Sequence, residues 1–304
     1  MAGEPPELRR HRGGSSAKRG LAALGGIALG FGMLAAIAWA VVVRGGDEST
    51  APESTAVSTG PPPKPVLRII FPEGFTRAEM ADRVRAVNKI AEKKRKITPS
   101  LSPRAYLRAA DSRKAPEGFP YRKKVEHLEG FLFPATYEFT EDTTSEELVD
   151  QQLDAFMRAW DQLDLDYARS KKLNAYDVLI IASMVEKEVQ VPKERPLVAA
   201  VIYNRLRVGL PLGIDATIRY GLDIPPTEPI HVSELESDSP YNTRRFAGLT
   251  PTPIANPGLA SLQAAAHPEK VDYLYFVRKA DCKSHFFTAS EEEFLNYSRA
   301  GLQC

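Results

Sequence analysis

The sequence predicts an α+β protein carried behind a single N-terminal membrane-spanning helix. Three observations predict it. Residues Leu21 to Val43 form an uncharged apolar run. A strand, a turn and a capped helix follow in VLRIIFPEGFTRAEMADRV, from Val66. Further along, an apolar helical stretch from Ala175 precedes two short aromatic strands near the C-terminus.

The run LAALGGIALGFGMLAAIAWAVVV would span about 34 Å as a helix, enough for a bilayer core. Arg9, Arg10, Arg12, Lys18 and Arg19 precede it, and Asp47, Glu48 and Glu53 lie beyond Arg44. That asymmetry places the N-terminus in the cytoplasm and the remainder outside. A cleaved signal peptide is the competing reading, since Ala36-Ile37-Ala38 and Ala38-Trp39-Ala40 resemble cleavage sites. The continuing Val41-Val42-Val43 disfavours it.

Residues 1–20 read as a basic tail and residues 44–65 as a Pro-rich linker. Folded sequence starts at 66. Thr76 followed by Glu79 is a capping-box pattern opening a helix. A second helix is expected over about Ser102 to Ala110, with Pro103 in its first turn. The segment FLFPATYEF (131–139) reads as extended, and the stretch after it as helical. Asn174 can cap a helix from Ala175 to about Val189, which Pro192 ends. A helix over about Arg195 to Val208 stops at Gly209. A short helix over Leu259 to Ala266 comes next, then paired strands at 273–277 and 285–288, and a final helix capped by Ser290. The expected division is 66–127 for a small strand-helix-helix part and 128–304 for a larger part.

Lys+Arg number 40 and Asp+Glu 39, a net charge of +1 that argues against a nucleic-acid binder. The five histidines are scattered, and Cys282 and Cys304 lack metal-knuckle spacing, so no metal or cofactor is expected. The notable carboxylates are Glu186 and Glu188 on the Ala175 helix. Two residues apart is about 200° on a helix, so the two face different ways. Ile181, Met184 and Val185 share the face of Glu188, which should desolvate its carboxyl and keep it protonated. Glu186 shares the smaller, more polar face of Ala182, Ser183 and Gln190. Glu194 is explained by the dipole of the helix it precedes. Arg205 and Arg207 read as anion partners or as surface charges with apolar stems.

Several motifs then occur in order: LEGFLFPATYEF (128–139), IIASMVEKEV (180–189), Glu194-Arg195, VAAVIYNRL (198–206), LPLGIDATIRYG (210–221), SPYNT (239–243), PIANPGLASLQAAAHP (253–268) and YLYFV (273–277). Together they resemble the YceG-like endolytic murein transglycosylases, from about residue 66 to the C-terminus. The resemblance implies a membrane-anchored enzyme with a small LysM-like subdomain (66–127) and a catalytic domain (128–304). Such an enzyme cuts nascent peptidoglycan glycan strands internally and leaves 1,6-anhydro-N-acetylmuramic acid ends. It places the catalytic acid on Glu188, with Glu186 as fallback. Gly213-Ile214 departs from the family, which commonly carries Gln and a small polar residue there. The short segment before Leu128 implies a reduced LysM-like part.

This chemistry needs one carboxyl group, unlike the two-carboxylate hydrolases. Aromatic and amide groups should hold the sugars, and the candidates are Asp215, Thr217, Tyr220, Tyr241, Asn242 and Thr243. Expected partners are glycan strands, the membrane and, by family analogy, cell-wall synthases of elongation or division. The alternative is a membrane-tethered cell-wall-binding scaffold without activity; a hydrolase using water would differ only in its products. An extracytoplasmic domain also permits a Cys282–Cys304 disulfide.

Overall fold

The computed structural model describes residues 64–119 and 127–302. The expected membrane helix Leu21–Val43, the tail, most of the linker and Cys304 lie outside them, so the expected disulfide does too. Among the described residues no helix is long and apolar enough to cross a membrane.

Strand β1 (Leu67–Ile70) pairs antiparallel with β2 (Thr136–Phe139), Leu67 opposite Phe139. Side chains alternate across it: Ile69, Tyr137 and Phe139 enter the core while Arg68 and Glu138 pair outside at 2.8 Å. The sheet therefore joins residues on both sides of position 127. Helix α1 (Arg77–Arg95) starts at the anticipated capping box of Thr76 and Glu79. Helix α2 (Pro103–Ser112) is capped by Ser102, and α3 (Ser145–Trp160) by a second capping box of Thr144 and Glu147.

Of the segment expected to be extended, only residues 136–139 form a strand. The preceding turn wraps the Asn256 amide, whose Oδ1 accepts from the Gly130 and Leu132 N–H groups, each at 2.9 Å. Gly130 adopts φ +91°, and a Cβ there would sit 2.6 Å from Pro253 Cγ, so both backbone and space demand glycine. Phe131 then packs with Phe119, Phe156 and Tyr176.

After the single turn α4 (Asp166–Ser170) comes the central helix α5 (Ala175–Glu188). Asn174 caps it, and Asp177 returns a bond to the Asn174 N–H. Every residue from Tyr176 to Val185 is buried, so α5 is surrounded on all sides rather than packed on one face. A 3₁₀ turn, Pro192–Glu194, redirects the chain into α6 (Arg195–Val208), which stops at Gly209 with φ 72°. Helices α7 (Asp215–Gly221) and α8 (Val232–Leu235) are short. Helix α9 (Leu259–Ala266) lays small residues against α5, which lets the two backbones approach closely.

Strands β3 (Tyr275–Arg278) and β4 (His285–Thr288) form an antiparallel hairpin with Arg278 opposite His285. Strand β3 starts two residues later than expected because Asn204 Nδ2 takes the Val271 and Tyr273 carbonyls, at 2.8 and 2.9 Å. Cys282 sits in the connecting turn with φ 55°. Helix α10 (Glu291–Arg299), capped by Ser290, packs on the hairpin.

Candidate active site

The C-terminal end of α5 opens into a cleft of about 1630 Å³. Its walls come from the start of α1, from α7, from the hairpin and from Arg244. Glu188, the last residue of α5, lies in this wall with its side chain 14% exposed. Burial pushes its carboxyl up to about 7. Arg278 is the strongest opposing influence, Asp215 adds to the rise, and the Ala216 N–H and Arg244 pull down. The Arg278 Nη2 stands 3.9 Å from Glu188 Oε2 and donates to the Glu188 carbonyl at 3.4 Å. A carboxyl balanced near neutrality can both give and take a proton.

Glu186 goes elsewhere. Its Oε2 accepts from the Gly258 N–H at 3.0 Å, capping α9, and Oε1 lies 4.0 Å from Arg195. Glu73 joins this group, its carboxyl raised by burial and by the Glu186 charge. The fallback acid is thus committed to holding α9 against α5, and it does not line the cleft.

The six expected sugar contacts divide. Asp215 and Tyr220 line the cleft. Asp215 is held by a two-pronged pair with Arg244, Nε–Oδ1 2.5 Å and Nη2–Oδ2 3.0 Å. Tyr241 lies behind Tyr220, their rings 5.3 Å apart, with its hydroxyl on Thr252 at 2.9 Å. Thr217, Asn242 and Thr243, also expected as sugar contacts, are instead buried and do not line the cleft. Thr217 Oγ1 donates to the Ile214 carbonyl at 2.6 Å, and Thr243 Oγ1 accepts from the Ile214 N–H at 3.0 Å. Asn242 Nδ2 donates to the Leu235 and Ser237 carbonyls, each at 2.9 Å. Their polar atoms fasten the loop that carries α7 and are spent on it. At the departure Gly213, φ is +65° and a Cβ would lie 3.1 Å from Arg205 Nη1.

Arg205 is partly buried rather than an exposed surface charge. It donates to the Leu274 carbonyl at 2.5 Å and to the Pro211 and Leu212 carbonyls at 3.0 and 2.8 Å. Glu194 likewise does more than meet a helix dipole: its carboxylate is bound by His285, 2.8 Å from Nδ1.

Sequence reasoning also passed over Glu129, which lines the same cleft and is 1% exposed. Burial pushes its carboxyl up to about 7, against the Arg77 N–H, the Arg77 guanidinium, the Tyr220 hydroxyl and Asn256. Arg77 N donates to Oε1 at 3.0 Å, Asn256 Nδ2 to Oε1 at 2.8 Å and Tyr220 to Oε2 at 3.3 Å. The available signal was a lone carboxylate inside the apolar stretch LEGFLF, where a charge has to be paired.

The sequence profile of the YceG-like family matches residues 51–300. The chain is 38% identical over 162 residues to the endolytic murein transglycosylase of Bacillus subtilis (strain 168), covering 53% of this chain and 45% of that protein. It is 32% identical over 256 residues to the endolytic murein transglycosylase of Streptococcus pneumoniae (strain ATCC BAA-255 / R6), covering 77% of this chain and 45% of that protein. The chain thus spans less than half the length of these curated relatives. The crystal structure of a YceG-like protein from Listeria monocytogenes superimposes with a TM-score of 0.63 at 30% identity, covering 75% of each chain. On the extent of the profile match, the chain belongs to the YceG-like family.

Proposed function

We propose that this protein is an endolytic peptidoglycan lytic transglycosylase with Glu188 as its acid and base. The observation that carries the reading is that Glu188, unlike the hydrogen-bonded Glu129, keeps its side chain 14% exposed in a cleft of about 1630 Å³, with burial pushing its carboxyl up to about 7. The names of the family relatives point to the same chemistry. Glu188 donates its proton to the glycosidic oxygen as the muramic C1–O bond breaks. The muramic C6 hydroxyl attacks C1, forming the 1,6-anhydro ring, and its proton passes to the Glu188 carboxylate. The residue ends as it began, and no water is consumed. Asp215 and Tyr220, which reach the cleft, are the sugar contacts. Leu21–Val43 anchors the chain with its N-terminus in the cytoplasm, and the residues around β1, α1 and α2 serve as a LysM-like strand-holding part.

Mass spectrometry of glycan strands digested by the purified full chain in detergent tests this. Anhydro-muramic ends are expected. Reducing ends would mean that water is the nucleophile, and uncut strands would leave a binding protein.

A further inference from the structure

Glu194 and His285 have no part in the proton transfers above, yet both are almost fully buried beside the cleft, at 5% and 4% exposure. Glu194 stands where the 3₁₀ turn enters α6, and no side-chain cap bond satisfies that helix end. Its carboxylate instead reaches across to β4. It accepts from the His285 N–H at 3.2 Å on Oε1 and 3.1 Å on Oε2, and Oε2 lies 2.8 Å from His285 Nδ1. One carboxylate thus grips both the backbone and the ring of a single residue, which fixes the strand in height and in rotation. Phe276 closes over the ring, edge to face at 5.4 Å.

The strand so fixed carries the consequence. His285 is the register partner of Arg278 on β3. The Arg278 guanidinium leaves the hairpin and meets the end of α5, touching the Glu188 carbonyl at 3.4 Å and standing 3.9 Å from its Oε2. The other charges acting on that carboxyl are Asp215 on α7 and Arg244, and these two are tied to each other. Lys187, next on α5, sends its ammonium to the Gly74 carbonyl at 3.2 Å. Among the described residues Arg278 is therefore the cation facing Glu188 that is not engaged by another carboxylate, and its distance depends on where the hairpin sits.

We propose that Glu194 and His285 are positioning residues, which by fastening β4 to the start of α6 hold Arg278 against Glu188 and so govern when that carboxyl releases its proton. The proposal rests on the assignment of Glu188 as the acid. A cation held at this range favours the ionised carboxylate, and the effect weakens as the hairpin loosens.

The test is a titration that does not need turnover. The full chain in detergent carries ¹³C-carboxyl glutamate, with the Glu188 signal assigned by its loss in E188Q. In R278Q the Glu188 midpoint should rise by about one pH unit. E194Q and H285Q should move it the same way by roughly half as much, and R278K should restore the wild-type midpoint. The E194Q/R278Q double variant should shift no further than R278Q, because Glu194 acts through Arg278. Where E194Q fails to fold, H285Q and H285Q/R278Q carry the same comparison. A wild-type midpoint in E194Q and H285Q, or shifts that add in the double variants, overturns the proposal. Titrations as expected with strands left uncut would remove the proposed function and leave the positioning intact; cleavage with an unmoved midpoint would do the reverse.

Discussion

Glu129 and Glu188 line one cleft, and burial pushes each carboxyl up to about 7, but they are surrounded differently. Glu129 receives the Arg77 N–H, the Asn256 amide and the Tyr220 hydroxyl, so its oxygens are occupied. Glu188 has a cation at 3.9 Å and a side chain still 14% exposed. The first ties α1, α7 and the Asn256 loop into one wall. The second has room for a substrate oxygen. Burial raises a carboxyl in either setting, and what separates a fastener from an acid is whether its proton can reach a ligand.

Three substitutions test that contrast in four ways. The largest effect belongs to Glu188→Gln, which keeps the shape and removes the proton. Glycan cleavage should fall about 10²- to 10⁴-fold with a native far-ultraviolet spectrum. Wild-type turnover in this variant would end the assignment. Glu129→Ala should behave oppositely, lowering the unfolding free energy by about 3 kcal/mol in urea because three donors lose their buried acceptor. Stability unchanged within error would show that Glu129 is no fastener.

The third prediction uses pH. Each folded-state carboxyl lies above its ordinary value of 4.5, at about 7. The folded state therefore binds more protons than the unfolded state between those values, and stability falls as pH rises through that window. Glu188→Gln removes one share of the fall. At pH 8 it should be more stable than wild type by about 3 kcal/mol, and at pH 4 equal to it, as read by urea unfolding. A gain that persists at pH 4 would point to packing rather than ionisation. The smallest effect is that of Glu186→Gln. It weakens the cap on α9 and the contact with Arg195, costing about 1 kcal/mol while cleavage stays within a few-fold of wild type. A collapse of cleavage equal to that of Glu188→Gln would restore Glu186 as a candidate acid.

Local chemistry was legible from the chain alone. Thr76 with Glu79, Asn174, Ser290 and Gly209 mark helix ends because a cap is made by residues a few positions apart. The order of motifs pointed to Glu188 and to the family. The choice between Glu186 and Glu188 is different. Helix α5 is buried on all sides from Tyr176 to Val185, so its apolar pattern could not say which side meets the cleft. The arrival of Gly258 and Arg195 on one side and of Arg278 on the other decides which of the two lines the cleft. Thr217, Asn242 and Thr243 looked like sugar contacts because polar residues in a loop can bind a ligand or hold the loop, and only burial distinguishes the two. Glu129 and the Glu194–His285 pair were hidden for a related reason. Their partners lie 52 to 127 and 91 positions away, so their roles follow from where the chain returns. The sequence by itself determined the helix ends and the hairpin, because those depend on neighbours along the chain. The tertiary structure alone decided which buried polar groups fasten and which face the cleft, because that depends on neighbours in space.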